Sequence, residues 1–136
     1  MDIVVYDDIL NGLKEYNRNL AQNYGNNIVG IAPINPTYPL TVFDEIRNQA
    51  NAAYNTPYDK VSSLGYRVDI FAKTKGNITK QSIARKLAKD IDNFLTNHVG
   101  LLQVSWNINE LENDSSIYQI TLTYSANLHE NRRTII

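Results

Sequence analysis

The chain of 136 residues contains no cysteine, which removes disulfides, thiolate zinc sites, iron–sulfur clusters and cysteine nucleophiles together. Histidine is nearly as scarce: only His98 and His129 occur, far from any metal-ligand spacing, so no metal site built by the protein is expected. Neither sign of charge dominates. Thirteen Lys and Arg against 14 Asp and Glu give a formal net charge of −1, with no basic field for wrapping nucleic acid. Long apolar runs are missing, so no membrane span is expected. The first residues, Met1-Asp2-Ile3-Val4-Val5-Tyr6, lack the positive region and long apolar stretch of a secretion signal, which points to a cytoplasmic protein.

Motifs for chemistry are equally thin. Ser62-Ser63-Leu64-Gly65 lacks the flanking glycines of a nucleophile elbow. Lys73-Thr74-Lys75-Gly76 lacks the glycine cradle that turns backbone N–H groups toward a phosphate. Asp7 with Asp8, and Asp90 with Asp92, point to different sides of a helix and make poor carboxylate pairs. Glu110, Glu112 and Asp114 alternate in a turn without the glycine and terminal Glu of a calcium loop. No catalytic residue, cofactor or metal is therefore expected, and the chain reads as a non-enzyme.

What is present is scaffold. Residues 2–24 carry Tyr6, Ile9, Leu10, Leu13, Tyr16, Leu20 and Tyr24 at three- and four-residue steps, which predicts an amphipathic helix stopped near Gly25. Gly12 is a mild weakness inside it. Residues 27–39 interleave Ile28, Val29, Ile31 and Ile34 with Gly30, Pro33, Pro36 and Pro39. Proline blocks regular pairing there, so the segment reads as an ordered extended loop, lying either across a neighbour or on its own domain. Residues 40–49 read as an imperfectly alternating strand or a short helix. Residues 50–63, with Tyr54 and Tyr58, form the main irregular excursion and a candidate contact arm.

The second half is better patterned. Tyr66, Val68, Ile70 and Ala72 share one face of a strand over residues 66–73. Thr79 is a natural N-cap for a helix over residues 79–99, with Ala84, Leu87, Ala88, Ile91, Phe94, Leu95 and Val99 as its buried stripe and Gly100 as its stop. Leu102, Val104, Trp106 and Ile108 alternate with polar residues, as do Tyr118, Ile120, Leu122, Tyr124 and Ala126. They predict a hairpin whose inner face packs on that helix and whose outer face, rich in hydroxyls and amides, meets solvent, another sheet or a wet channel. Residues 127–136 return to polar types and end on Ile135 and Ile136, an arm that either docks or frays. Tyrosine outnumbers phenylalanine by 9 to 3, and its polar tip suits both core margins and interfaces.

The expected fold is thus α+β: a small, mainly antiparallel sheet packed against two amphipathic helices, with a long loop and a C-terminal arm. One domain covers residues 1–136, divided into a helix (1–25), the sheet and second helix (38–126) and the arm (127–136).

The order of helix, Pro-bounded strand (Tyr38-Pro39-Leu40-Thr41-Val42-Phe43-Asp44), long loop, strand, helix and closing hairpin resembles the tail-terminator and tail-completion proteins of tailed bacteriophages, which include minor head–tail joining proteins. The resemblance spans residues 2–126 and rests on length, order and pattern. It implies a subunit of a homo-oligomeric ring, commonly a hexamer, that caps the tail tube, ends tube growth and joins the tail to the head connector. Partners would be further copies of the chain, the tail-tube protein and a head-completion or connector protein. DNA would pass through the lumen unheld, and assembly would take place in the host cytoplasm before residence in the virion. The contact residues expected on this view are Ile31, Ile34, Tyr54, Tyr58, Arg132, Arg133, Ile135 and Ile136. The alternatives are a neck or connector-adaptor protein one ring nearer the head, and a soluble domain that binds a small ligand.

Overall fold

A computed structural model describes residues 3–50, 61–110, 115–129 and 134–135. It is an α+β fold with the element order α1 (Ile3–Asn19), β1 (Asn27–Val29), β2 (Leu40–Ala50), β3 (Val61–Ala72), α2 (Lys80–Asn93), β4 (Leu102–Glu110), β5 (Tyr118–His129) and β6 (Thr134–Ile135). One sheet carries the strands in the order β1-β2-β3-β5-β4, with β6 pairing on β5. Every pairing is antiparallel except β1 with β2.

Both helices cover one face of this sheet. Val5, Ile9 and Leu13 of α1 and Ile83, Ala84, Leu87, Ala88 and Ile91 of α2 meet Phe43, Leu64, Tyr66, Val68, Ile70, Ile120, Leu122 and Tyr124 in a single core. Registers such as Val68 opposite Leu122 and Ile70 opposite Ile120 put matched apolar residues on that face, as the alternation predicts. Thr79 caps α2, accepting from the Ser82 N–H at 3.2 Å. The stripe then continues through a π-helical turn, Phe94–Val99, until Gly100 adopts φ 91° and ends it. Gly12 has a packing reason: a Cβ there would lie 3.0 Å from Phe94 Cζ, so its absence admits the ring that joins the two helices.

Several boundaries differ from the sequence expectation. α1 stops at Asn19 rather than near residue 24. The Asn17 carbonyl accepts from Leu20 N–H (3.3 Å) and from Asn23 Nδ2 (2.8 Å), which diverts the chain from the helical ladder. The Asn17 side chain, itself buried, donates to the Asn26 carbonyl at 2.9 Å, and Thr41 Oγ1 donates to Asn26 Oδ1 at 3.0 Å. Part of the asparagine content thus serves as a polar knot that seats β1 against β2.

The supposed loop over residues 27–39 begins as β1, paired with Leu40–Val42 of its own chain. β2 is a strand, and its imperfect alternation has a cause: a bulge between Glu45 and Arg47 leaves Ile46 as the extra residue. β3 starts at Val61, so the excursion between β2 and β3 shrinks to residues 51–60, which lie outside the described set. The expected arm of residues 127–136 is corrected too. Asn127–His129 complete β5 opposite Val61–Ser63, and Thr134 and Ile135 fold back onto His129 and Leu128.

Candidate assembly surface

β4 forms one edge of the sheet. Its apolar residues are not inside: Leu102 is 68% exposed, Val104 61%, Trp106 41% and Ile108 47%. The expectation that these four pack on α2 fails for two physical reasons. A helix with its side chains is about 10–12 Å across and strands lie about 4.8 Å apart, so one helix covers roughly two strands. α2 lies over β3 and β5, and α1 lies on the β1 side, which leaves β4 bare. The second reason is a bulge between Gln103 and Ser105. Trp106 and Ile108 stand opposite Leu122 and Ile120 on the helix face, whereas Leu102 stands opposite Ser125 on the other face. Val104 is the extra residue, and the row that looks continuous in sequence is divided between two faces.

Apart from that bulge, the edge carries little of the usual protection. From Leu102 to Asn109 it has no charged residue and no proline, although lone edge strands are ordinarily blunted by one or the other. Its start is held firmly. Asp92 Oδ1 accepts from the Tyr124 hydroxyl (2.7 Å), Thr96 Oγ1 (3.1 Å) and Gln103 Nε2 (3.2 Å), tying α2, β5 and β4 at one carboxylate. Burial, followed by the hydrogen bond to Asp92, pushes the Tyr124 phenol well above its ordinary range.

The opposite edge is open in a different way. β1 pairs only with Leu40–Val42, so beyond Val42 that side of β2 has no strand partner among the described residues. Where the chain peels away at Gly30, a cavity of about 400 Å³ opens, lined by Tyr6, Leu10, Gly30, Ile31, Asp44 and Glu45. Tyr6 floors it, stacked on Phe43 with ring centroids 5.2 Å apart and donating its hydroxyl to the Phe43 carbonyl. Glu45 Oε2 is buried there without a hydrogen-bond partner among the described residues. Burial, with the charge of Asp44 adding to it, raises the Glu45 carboxyl above its ordinary range.

Of the expected contact residues, Ile31 and Ile34 are 87% and 97% exposed, and Ile31 borders this cavity. Ile135 pairs with Leu128 of its own chain. Tyr54, Tyr58, Arg132, Arg133 and Ile136 lie outside the described residues. Sequence reasoning missed Trp106 and Ile108 as surface groups. The available signal was a nine-residue strand with four large apolar residues, no charge before Glu110 and no helix left to cover it.

The middle of the sheet's uncovered face, around Asp69, is polar and internally paired. Asp69 accepts from Thr121 Oγ1 (2.7 Å) and Gln119 Nε2 (3.1 Å), and Arg67 bridges Asp69 (3.1 Å) and Asp44 (3.5 Å). Asp90 pairs with Lys86 while Asp92 faces Tyr124, so these two carboxylates diverge. His98 stacks on Phe94 and Tyr16, with centroids 5.8 and 5.7 Å away. Among the described residues, no group of three or more His, Cys, Asp or Glu gathers as a metal site, and no helix is long and apolar enough to cross a membrane.

No family model matches the chain, and no curated protein does. Among solved structures, 22 chains match. One belongs to the virion of a native gene transfer agent (GTA) particle: it has a TM-score of 0.61 at 14% identity, over 86% of this chain and 91% of that chain. At this identity the likeness is one of fold. The class defined here is an α+β domain with one helix-covered sheet face and an apolar free edge.

Proposed function

We propose that the chain is a structural subunit of a phage-like virion, acting as a ring that caps the tail tube, ends tube growth and joins the tail to the head connector. The observation that carries this reading is the fold shared, over nearly the full length of both chains, with a component of a GTA virion. The bare apolar edge of β4 supports it, since a part that works by fitting needs surfaces left unpaired in the single copy. Its action is geometric rather than catalytic. A head-to-tail interface closes into a ring when the rotation between copies divides a full turn, and such a ring matches the end of a tube of the same symmetry. With a net charge of −1, DNA would pass the lumen without being held.

The experiment is reconstitution with the tail-tube protein, read by light scattering and negative-stain microscopy. Rings should form, and should bind tube ends and arrest their growth. A chain that stays monomeric and ignores the tube would sink the reading. Rings that bind the head connector but not the tube would move the protein one position toward the head, as a neck adaptor. Removing residues 130–136 tests the tail as a contact while sparing the end of β5; unchanged assembly would take that segment out of the interface.

A further inference from the structure

We infer that the two open edges of the sheet are the two halves of one interface, with β4 of one copy adding to the free edge of β2 in the next and Trp106 entering the cavity beside Tyr6. This rests on the ring reading and names the surface that would build it.

Strand direction permits the match. β2, β3, β5 and β4 are joined by three successive antiparallel pairings, so β4 runs antiparallel to β2. A copy displaced along the sheet without being turned over therefore presents its β4 antiparallel to the next β2, with all helices kept on one side. Backbone groups on each edge gain partners, as in strand addition generally.

The side chains agree with this placement. Trp106 and Ile108 project on the helix face of β4. The cavity lies on that same face at the β2 edge, because Tyr6 and Leu10 of α1 line it and Glu45, another lining residue, stands opposite core Tyr66. A buried tryptophan covers roughly 150–250 Å², and its indole N–H requires an acceptor. The cavity of about 400 Å³ offers aromatic and aliphatic walls from Tyr6, Leu10 and Ile31 and a rim of two carboxylates, Asp44 and Glu45. Between Leu102 and Asn109 the incoming strand bears no charge, so nothing on it repels that acidic rim. A two-fold pairing of β4 with its own symmetry mate would satisfy the β4 edge and leave the cavity and the β2 edge unfilled.

Because the chain has no native cysteine, single cysteines report contacts without background. Ile108→Cys on one preparation and Glu45→Cys on another, both on the helix face of their strands, mixed and treated with a short bismaleimide, should give the mixed crosslinked dimer. A crosslink of Ile108→Cys with itself, and none in the mixture, would overturn the head-to-tail arrangement. Trp106→Asp should weaken self-association by roughly tenfold or more, as expected for a central aromatic anchor, while Asn107→Asp on the other face should leave it near wild type. Far-UV circular dichroism checks that both variants fold, and the crosslink stands independently if Trp106→Asp does not. Wild-type rings that persist in folded Trp106→Asp would overturn this interface and leave the ring reading intact. Crosslinked assemblies indifferent to the tail tube would uphold the interface and remove the tube-capping function.

Discussion

β4 and β5 are consecutive strands and neighbours in the same sheet, written in the same alternating code, yet their fates are opposite. Tyr118, Ile120, Leu122 and Tyr124 of β5 are buried, whereas Leu102, Val104, Trp106 and Ile108 of β4 are exposed. β5 is flanked by β3 and β4 and roofed by α2; β4 has a strand on one side only and meets α2 only at its start, where Gln103 reaches Asp92. Alternation states that a strand has an apolar face. It does not state whether the molecule itself covers that face.

The comparison is sharpened most by truncating one residue from each strand at a shared register position. Leu122→Ala, deep under α2, should cost about 2–5 kcal/mol in urea unfolding, through lost burial and a residual cavity. Its partner across the ladder, Trp106, should cost less when changed to Ala, about 1–3 kcal/mol, because 41% of its surface is already in water and its removal leaves no closed cavity. A Trp106→Ala loss equal to that of Leu122→Ala, measured under monomeric conditions, would break the distinction.

Tyr124→Phe probes the tie between the buried strand and the bare one. Removing a hydroxyl that donates to the Asp92 carboxylate should destabilise by about 1–3 kcal/mol at neutral pH. The sign of its pH dependence follows from linkage. The folded phenol is raised above its ordinary 10.0, so above that pH the unfolded state loses a proton that the folded state keeps. Stability is unaffected by this group below about pH 10 and falls as pH rises beyond it, by up to about 1.4 kcal/mol per unit. Urea titrations of Tyr124→Phe should show a shallower alkaline decline than wild type; parallel curves would refute the assignment.

Thr79→Ala should have a smaller effect, about 1 kcal/mol, from the lost cap on α2. Chemical denaturation should read this loss, and an unchanged midpoint would refute the cap. The smallest change expected is Asn107→Asp, within about 0.5 kcal/mol by the same measurement, since Asn107 is an exposed residue of β4.

Much of the fold was legible in the sequence. The stripe of α2, its Thr79 cap and Gly100 stop, and the inward faces of β3 and β5 all follow from periodicity, because the elements that carry them lie in the middle of the sheet. The early end of α1 was not legible, since Asn17 stops the helix through partners six and nine residues further along, Asn23 and Asn26. Nor were the two bulges, which are decided by how neighbouring strands align. Of the residues expected as contacts, Ile31 stands exposed beside the cavity. Trp106 and Ile108 were assigned to the core, because their spacing equals that of residues which are buried.

The sequence by itself determined which residues are apolar, at what period, and where helices can start and stop; these depend on local backbone preference and side-chain spacing. Only the tertiary structure decided that two helices would shelter one side of the sheet, that β4 would stay uncovered, and that a cavity would open at the far edge. That outcome is a matter of widths and neighbours: the area a helix can cover is set by its diameter, and a strand at the margin has no second neighbour within its own chain.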